Sequence, residues 1–352
     1  EQLIKAEVRA LSAYHVPDPG KMIKLDAMEN PYHWPENLTD EWLVRMRRTE
    51  INRYPDPAAS QLSNALREAM QVPDTMGLLL GNGSDELIQM LAVAIAEKGR
   101  VIMAPEPTFV MYRMIASVLG MTYVGVPLQS DFSLDSDAML AAIKKHNPAL
   151  LFLAYPNNPT GNLFAEEAIC NILDQASGLV VIDEAYAPFT DASFMRRLAD
   201  YDNLLVLRTV SKMGLAGLRL GLLAGPKPWL NEIDKTRLPY NINVLTQVSA
   251  LFAVEHIDVL MDQAQQIRND RSELINGLSQ LSKLTVYPSE ANFVLFRAPQ
   301  GRGQEIFEEL KRQGILIKNL SPAGGVLTDC LRVTVGTVDE NAAFINAMNN
   351  CC

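Results

Sequence analysis

The 352-residue sequence predicts an α/β protein: a large domain on a mainly parallel sheet covered by helices, then a smaller α+β domain. Three observations point there. From Leu78 to Leu223, short apolar runs alternate with segments of helical periodicity. Successive runs end in polar clusters, which is how strands of an open α/β sheet meet a ligand. Beyond Pro226 the texture changes to a long helical stretch followed by alternating segments. The boundaries drawn on this basis are an N-terminal arm 1–30, a large domain 31–235 and a small domain 236–352.

Composition narrows the function before any motif does. A net charge of −10 with no basic stripe argues against a nucleic-acid or anionic-membrane partner and favours small-molecule chemistry. Cys170, Cys330, Cys351 and Cys352 lack the spacing of a zinc site and fit a reducing cytoplasm. The uncharged run Met114 to Ser130 contains Gly120, Gly125 and Pro127, which argues against a membrane-spanning helix, and no secretory pattern opens the chain.

In chain order, residues 1–30 read as a short helix and then an extended arm around Pro17, Pro19 and Gly20, with Tyr14 as its one candidate site residue. Asn30 is pushed to an extended conformation by Pro31. The turn Arg53-Tyr54-Pro55-Asp56-Pro57 holds Tyr54 stiffly at a surface, ahead of a helix with Leu62, Ala65, Leu66 and Ala69 on one face. The strand Leu78–Leu80 runs into Gly81-Asn82-Gly83-Ser84-Asp85-Glu86 and a helix. Free N–H groups at that helix start make either an anion site or a simple cap, and the anion reading requires Asp85 and Glu86 to point away. Next come the strand Val101–Met103 and a helix carrying Phe109, Tyr112 and Met114, where Phe109 either stacks on a flat ring or packs in the core.

The strand Ala149–Ala154 ends in Tyr155-Pro156-Asn157-Asn158-Pro159-Thr160-Gly161, where the Asn157 amide either bonds a phenolate oxygen or closes an Asx turn. The strand Gly178–Ile182 delivers Asp183-Glu184-Ala185-Tyr186. A carboxylate there can keep a pyridine nitrogen protonated, cap a helix or bind a metal. The run Leu204–Leu207 leads into Thr209, Ser211, Lys212 and Arg219. A lysine in an apolar surround near positive charge deprotonates easily and condenses with aldehydes, which makes pyridoxal phosphate the cofactor to suspect. Arg219 offers a donor fork to its phosphate. In the C-terminal part, a helical stretch from Val244 to Leu281 precedes strands Leu284–Tyr287, Asn292–Arg297, Ile315–Lys318 and Leu331–Val335, with a helix near Gln304–Gln313. Arg332 alternates with apolar neighbours, so it is either an anion clamp or an exposed strand residue.

With these residues assembled, the chain resembles the fold-type I pyridoxal-phosphate aminotransferases, and within them the histidinol-phosphate aminotransferase family. The carrying motifs run from Glu29-Asn30-Pro31-Tyr32 through Asn157-Asn158-Pro159-Thr160-Gly161, Asp183-Glu184-Ala185-Tyr186 and Ser211-Lys212 to Leu331-Arg332-Val333-Thr334-Val335-Gly336-Thr337. The resemblance implies a seven-stranded-type sheet, pyridoxal 5′-phosphate joined to Lys212, and exchange of an amino group between L-histidinol phosphate and 2-oxoglutarate. It implies catalytic roles for Lys212, Asp183 and Tyr186, with Asp183 on the pyridine nitrogen and Asn157 and Tyr186 on the ring oxygen. Gly83, Ser84, Ser211 and Arg219 would hold the phosphate, Asp85 and Thr209 would also bind the cofactor, Phe109 would wall the ring, and Tyr54 would reach the phosphate across a homodimer. Tyr14, Asn30, Arg332 and Lys318 would bind substrate, Lys318 standing where members often carry arginine. An aromatic amino acid aminotransferase and a threonine-phosphate decarboxylase are the alternatives on the same scaffold. No added DNA-binding segment or basic region favours a regulator.

Overall fold

The structure, a computed structural model, describes residues 3–13 and 17–351. Its strands are β1 (Ile23–Lys24), β2 (Gly77–Gly81), β3 (Val101–Glu106), β4 (Thr122–Pro127), β5 (Leu150–Ala154), β6 (Leu179–Asp183), β7 (Leu204–Thr209), β8 (Gly221–Gly225), β9 (Thr285–Val286), β10 (Phe293–Arg297), β11 (Ile315–Leu316), β12 (Lys318–Asn319) and β13 (Cys330–Thr334). Seven of them form one sheet in the order β2-β8-β7-β6-β5-β3-β4. Its pairings from β7 to β4 are parallel, and β8 runs antiparallel to both β2 and β7.

Alternation along the central strands sorts their side chains into two cores. Leu151, Leu153, Val180, Ile182 and Val206 belong to one, and Leu150, Phe152, Leu179, Val181, Leu205 and Leu207 to the other. Every residue of β5, β6 and β8 is buried, as a sheet covered on both faces requires. Helices carry the chain from one of these strands to the next in sequence, among them Ser84–Ile95, Val110–Leu119, Ser136–His146 and Glu166–Gln175. Local chemistry sets their limits. Asp135 caps Ser136–His146 by accepting from the Ala138 amide, and Asn147 ends that helix in the left-handed region at φ 43°.

The same alternation aims the strand ends. Ala154, Asp183 and Thr209 continue the face of Phe152, Val181 and Leu207, and Ala154 and Asp183 are direct partners across β5 and β6. Arg208 and Glu184 fall on the opposite face.

The C-terminal part carries a four-stranded antiparallel sheet in the order β12-β13-β10-β9. Leu331 and Val333 pack with Phe293, Phe296 and Phe344 in a third core, which turns Arg332 to the other side of β13. Strand β1 pairs in parallel with β11, so the segment after it crosses from the C-terminal part toward the large sheet.

Three local readings need correction. The helical stretch from Val244 breaks at His256 into Val244–Glu255 and Ile257–Ser279, bent by 75°. The segment Ile315–Lys318 divides between two sheets. Phe109 precedes its helix as the N-cap, outside the first turn. Among the described residues no single helix is long and apolar enough to cross a membrane.

Candidate active site

Six chain segments reach one cavity of about 100 Å³. The end of β6 supplies Asp183 and Tyr186, and the turn after β7 supplies Ser211 and Lys212. The start of helix Ser84–Ile95 supplies Ser84 and Asp85, while Phe109 and Asn158 arrive from loops after β3 and β5. Met28, from the segment after β1, lines the cavity as well.

Lys212 Nζ donates to the Ala27 carbonyl at 3.2 Å. Burial above all, and then the positive charge of Arg332, lowers its pKa to about 8. An amine so placed is a nucleophile near neutral pH.

Asp183 is buried, accepting from the Ala185 amide at 3.1 Å and from the Tyr112 hydroxyl at 2.6 Å. Burial pushes its carboxyl up to about 6, against the pull of those two hydrogen bonds. The Tyr186 hydroxyl accepts from Asn158 Nδ2 at 3.0 Å, and burial raises the phenol well above its ordinary range.

Beside this pair lies an anion cradle. Gly83, at φ 84°, precedes the helix, and a Cβ there would stand 2.6 Å from Arg219 Nη2. A Cβ on Gly221 would meet the Ser84 amide nitrogen at 2.6 Å, so β8 passes close beneath the helix start. The Thr209 hydroxyl donates to Leu220 O and accepts from the Ser211 amide. Of the two acidic residues at the helix start, Glu86 stays out of the cavity as the anion reading requires, whereas Asp85 lines it with its charge met by Arg219. Glu86 accepts from the Asn82 amide and from Asn241, and Asp85 pairs with Arg219 at 3.2 Å. That leaves free helix N–H groups and a guanidinium facing the cavity, a set that fits a phosphate.

Arg332 donates to Asn158 Oδ1 and to Asp26 O, and its guanidinium lies 5.1 Å from the Phe293 ring centroid. It is a buried strand residue beside the cavity.

Several expected residues stand elsewhere. Asn157 is turned away from the cavity. Its Oδ1 accepts from Thr108, and its Nδ2 donates to Pro107 O and Thr160 Oγ1, which uses both amide hydrogens. The neighbour that sequence reasoning passed over, Asn158, faces Tyr186 instead. Asn30 is also spent on structure, donating to Met213 O and Gln263 and accepting from the Tyr32 amide; it lines an adjoining cavity. Lys318 pairs with Arg332 across β12 and β13 but does not line the cavity. Tyr54 is 81% exposed and stacks on Tyr240 with centroids 4.4 Å apart. Tyr14 lies outside the described residues.

A larger cavity, of about 440 Å³, lies on the other side of β6 and β7 beside Glu184 and Arg208. Those charges bind each other at 2.7 Å, so the smaller cavity holds the reactive groups.

This fold and site define an aminotransferase. The sequence pattern of the family Aminotransferase class I and II matches residues 20–348, and the chain belongs to that family. It is a pyridoxal-phosphate-dependent transaminase of the α/β class. Among relatives, histidinol-phosphate aminotransferase 2 of Nitrosococcus oceani is 56% identical over 347 residues, covering 99% of this chain and 96% of its own. Histidinol-phosphate aminotransferase 2 of Cupriavidus pinatubonensis is 52% identical, with 99% and 96% covered. The solved histidinol-phosphate aminotransferase of Sinorhizobium meliloti in complex with pyridoxal-5′-phosphate shares the fold at a TM-score of 0.87 and 22% identity, covering 99% of this chain and 97% of that one.

Proposed function

We propose that this chain exchanges an amino group between L-histidinol phosphate and 2-oxoglutarate, forming imidazole acetol phosphate and L-glutamate, as a cytoplasmic homodimer. One observation carries the reaction class: a lysine poised near neutrality by burial shares a cavity with a buried carboxylate and an anion cradle. The choice of substrate follows the two relatives named above, which match nearly end to end.

Pyridoxal phosphate, when bound, supplies an aldehyde that captures amines and a protonated ring that withdraws electron density. The protein does the rest. Asp183 holds the proton on the ring nitrogen, and Asn158 and Tyr186 meet the ring oxygen, with Asn158 taking the place expected of Asn157. Gly83, Ser84, Ser211 and Arg219 hold the phosphate, and Phe109 walls the ring. Lys212 Nζ would take the proton that leaves the substrate's amine-bearing carbon. At about pH 8 it is close to the balance that general base work requires. Arg332 offers its fork to the carboxylate of glutamate in one half-reaction and to the phosphate of the other substrate in the next.

The homodimer reading rests on Ile51, Tyr54, Leu238, Tyr240 and Leu245, apolar side chains left exposed on segments tied together by Gln247 to Asp56 O and Arg237 to Pro57 O. Tyr54 would reach the phosphate held by the partner subunit.

The test is single-turnover absorbance of the holoprotein mixed with histidinol phosphate and no oxo acid. Conversion of the yellow form to the pyridoxamine form, reversed by 2-oxoglutarate, supports both half-reactions. No change with histidinol phosphate but conversion with phenylalanine would replace this substrate by aromatic amino acids. Carbon dioxide release from threonine phosphate would move the chain to the decarboxylases.

A further inference from the structure

We propose that Tyr112 is a positioning residue for the cofactor: its hydroxyl, donating to Asp183 Oδ2, aims the remaining lone pairs of that carboxylate at the ring nitrogen and keeps the carboxylate charged. The inference rests on the reading of Asp183 as partner of the ring nitrogen.

Tyr112 is fully buried on the sheet face that Asp183 continues. Its ring is fixed from two sides, stacked on Phe152 of β5 at 4.4 Å with 2° between the planes, and edge-on to Phe109 at 5.6 Å. A ring so wedged holds its hydroxyl in one place, and that place is 2.6 Å from Asp183 Oδ2. Burial and the carboxylate both drive the phenol pKa upward, so the hydroxyl keeps its proton and acts as donor. With the Ala185 amide on Oδ1, two lone-pair sites of the carboxylate are filled from the protein side, and the rest face the cavity.

The balance around Asp183 is narrow. Burial raises its pKa, Asp85 and Glu184 raise it further, and the Tyr112 and Ala185 hydrogen bonds oppose them. Tyr186, also facing it, keeps its own proton. Without the Tyr112 donor, burial carries Asp183 toward protonation at neutral pH. It would then meet the ring nitrogen as an acid, with no negative charge to hold the ring proton.

The experiment titrates the cofactor-free protein at neutral pH with pyridoxal phosphate and with its 1-deaza analogue, in which a C–H group replaces the ring nitrogen. Tyr112→Phe keeps the ring and its stacking and removes only the hydroxyl. Its affinity for pyridoxal phosphate is expected to fall about tenfold, the equivalent of one pKa unit, and its affinity for the deaza analogue to stay within about twofold. Side-chain carbon NMR should show Asp183 titrating at higher pH in Tyr112→Phe than in the parent. Added to Asp183→Asn, Tyr112→Phe should cost no further affinity. Equal losses for both ligands, or an unchanged Asp183 titration, would overturn the proposal. Should Asp183→Asn bind both ligands like the parent, the underlying reading of Asp183 fails. Should Asp183→Asn lose pyridoxal phosphate selectively while Tyr112→Phe does not, only the role of Tyr112 fails.

Discussion

Lys212 Nζ sits 3.2 Å from the carbonyl oxygen of Ala27, and the preceding carbonyl, that of Asp26, accepts from Arg332. Two cations that come from different parts of the fold are thus held on consecutive peptide groups of one strap. The strap is itself anchored to the C-terminal sheet, with the Met28 amide donating to Thr334 and Asn292 donating to Met28 O. Arg332 is therefore close enough to act on the proton affinity of Lys212.

That proximity has a measurable sign. Lysine ordinarily titrates at 10.5, and the surroundings of Lys212 lower its pKa to about 8. Burial is the larger cause and Arg332 the second. NMR of the lysine side chain in the cofactor-free protein should give a midpoint near 8, and Arg332→Met should move it upward. Between these pH values the unfolded chain binds more protons at this site than the folded one, so the contribution of Lys212 to stability rises with pH across that window. A midpoint unmoved by Arg332→Met would show that burial acts alone.

The proposed phosphate cradle depends on the absence of a side chain at Gly83. Its φ of 84° is strained for any L-residue, and an added Cβ would lie 2.6 Å from Arg219 Nη2. Gly83→Ala therefore displaces the guanidinium or the helix start, at a cost of about 1–3 kcal/mol. Affinity for pyridoxal phosphate should fall about tenfold or more, and affinity for pyridoxal, which lacks the phosphate, should change little. Equilibrium titration of the cofactor-free protein with both compounds checks this. Equal loss would place the damage outside the cradle.

Neighbouring asparagines have separable roles. Asn158 bridges Tyr186 and Arg332, whereas Asn157 knits Pro107, Thr108 and Thr160 together away from the cavity. Asn158→Ala should lower turnover at least tenfold with a modest change in melting temperature. Asn157→Ala leaves buried groups unpaired and should destabilise by about 2–3 kcal/mol, with turnover per folded molecule nearly unchanged. Thermal melts and steady-state rates on the two variants decide the assignment, and the opposite pattern would restore Asn157 to the cavity.

Much of this site was legible because its residues sit at the ends of strongly apolar runs. Leu204–Leu207 and Gly178–Ile182 are long enough and branched enough to mark strands, and Lys212 and Asp183 follow from where those strands stop. Two other strands were harder. β4 is interrupted by Gly125 and ends in Pro127, and β8 reads Gly-Leu-Leu-Ala-Gly, with no β-branched or aromatic residue. The asparagine pair could not be resolved because adjacent residues of an irregular turn obey no period. Tyr112 was visible as a helical aromatic, but its hydroxyl finds Asp183 only through the phase of one helix against the face of β6, 71 residues away. Tertiary contacts of that kind leave no local pattern.

The far side of the same strand ends offers a last prediction. Glu184 has no exposed side-chain surface and accepts from Arg208, Ser193 and the Phe194 amide, while Arg208 also donates to Met70 O. Along β6 and β7 these residues alternate with Asp183 and Thr209, so the pair braces the strand ends from behind without entering the cavity. Arg208→Met leaves the Glu184 carboxylate buried with only neutral donors and should destabilise by about 3–5 kcal/mol. Adding Glu184→Gln removes the stranded charge and should recover a large part of that loss, because Ser193 and the Phe194 amide still have an acceptor. Thermal melts of the single and double variants test the coupling. If the two changes add without recovery, the ion pair contributes no more than two independent contacts, and the strand ends are held by their apolar packing alone.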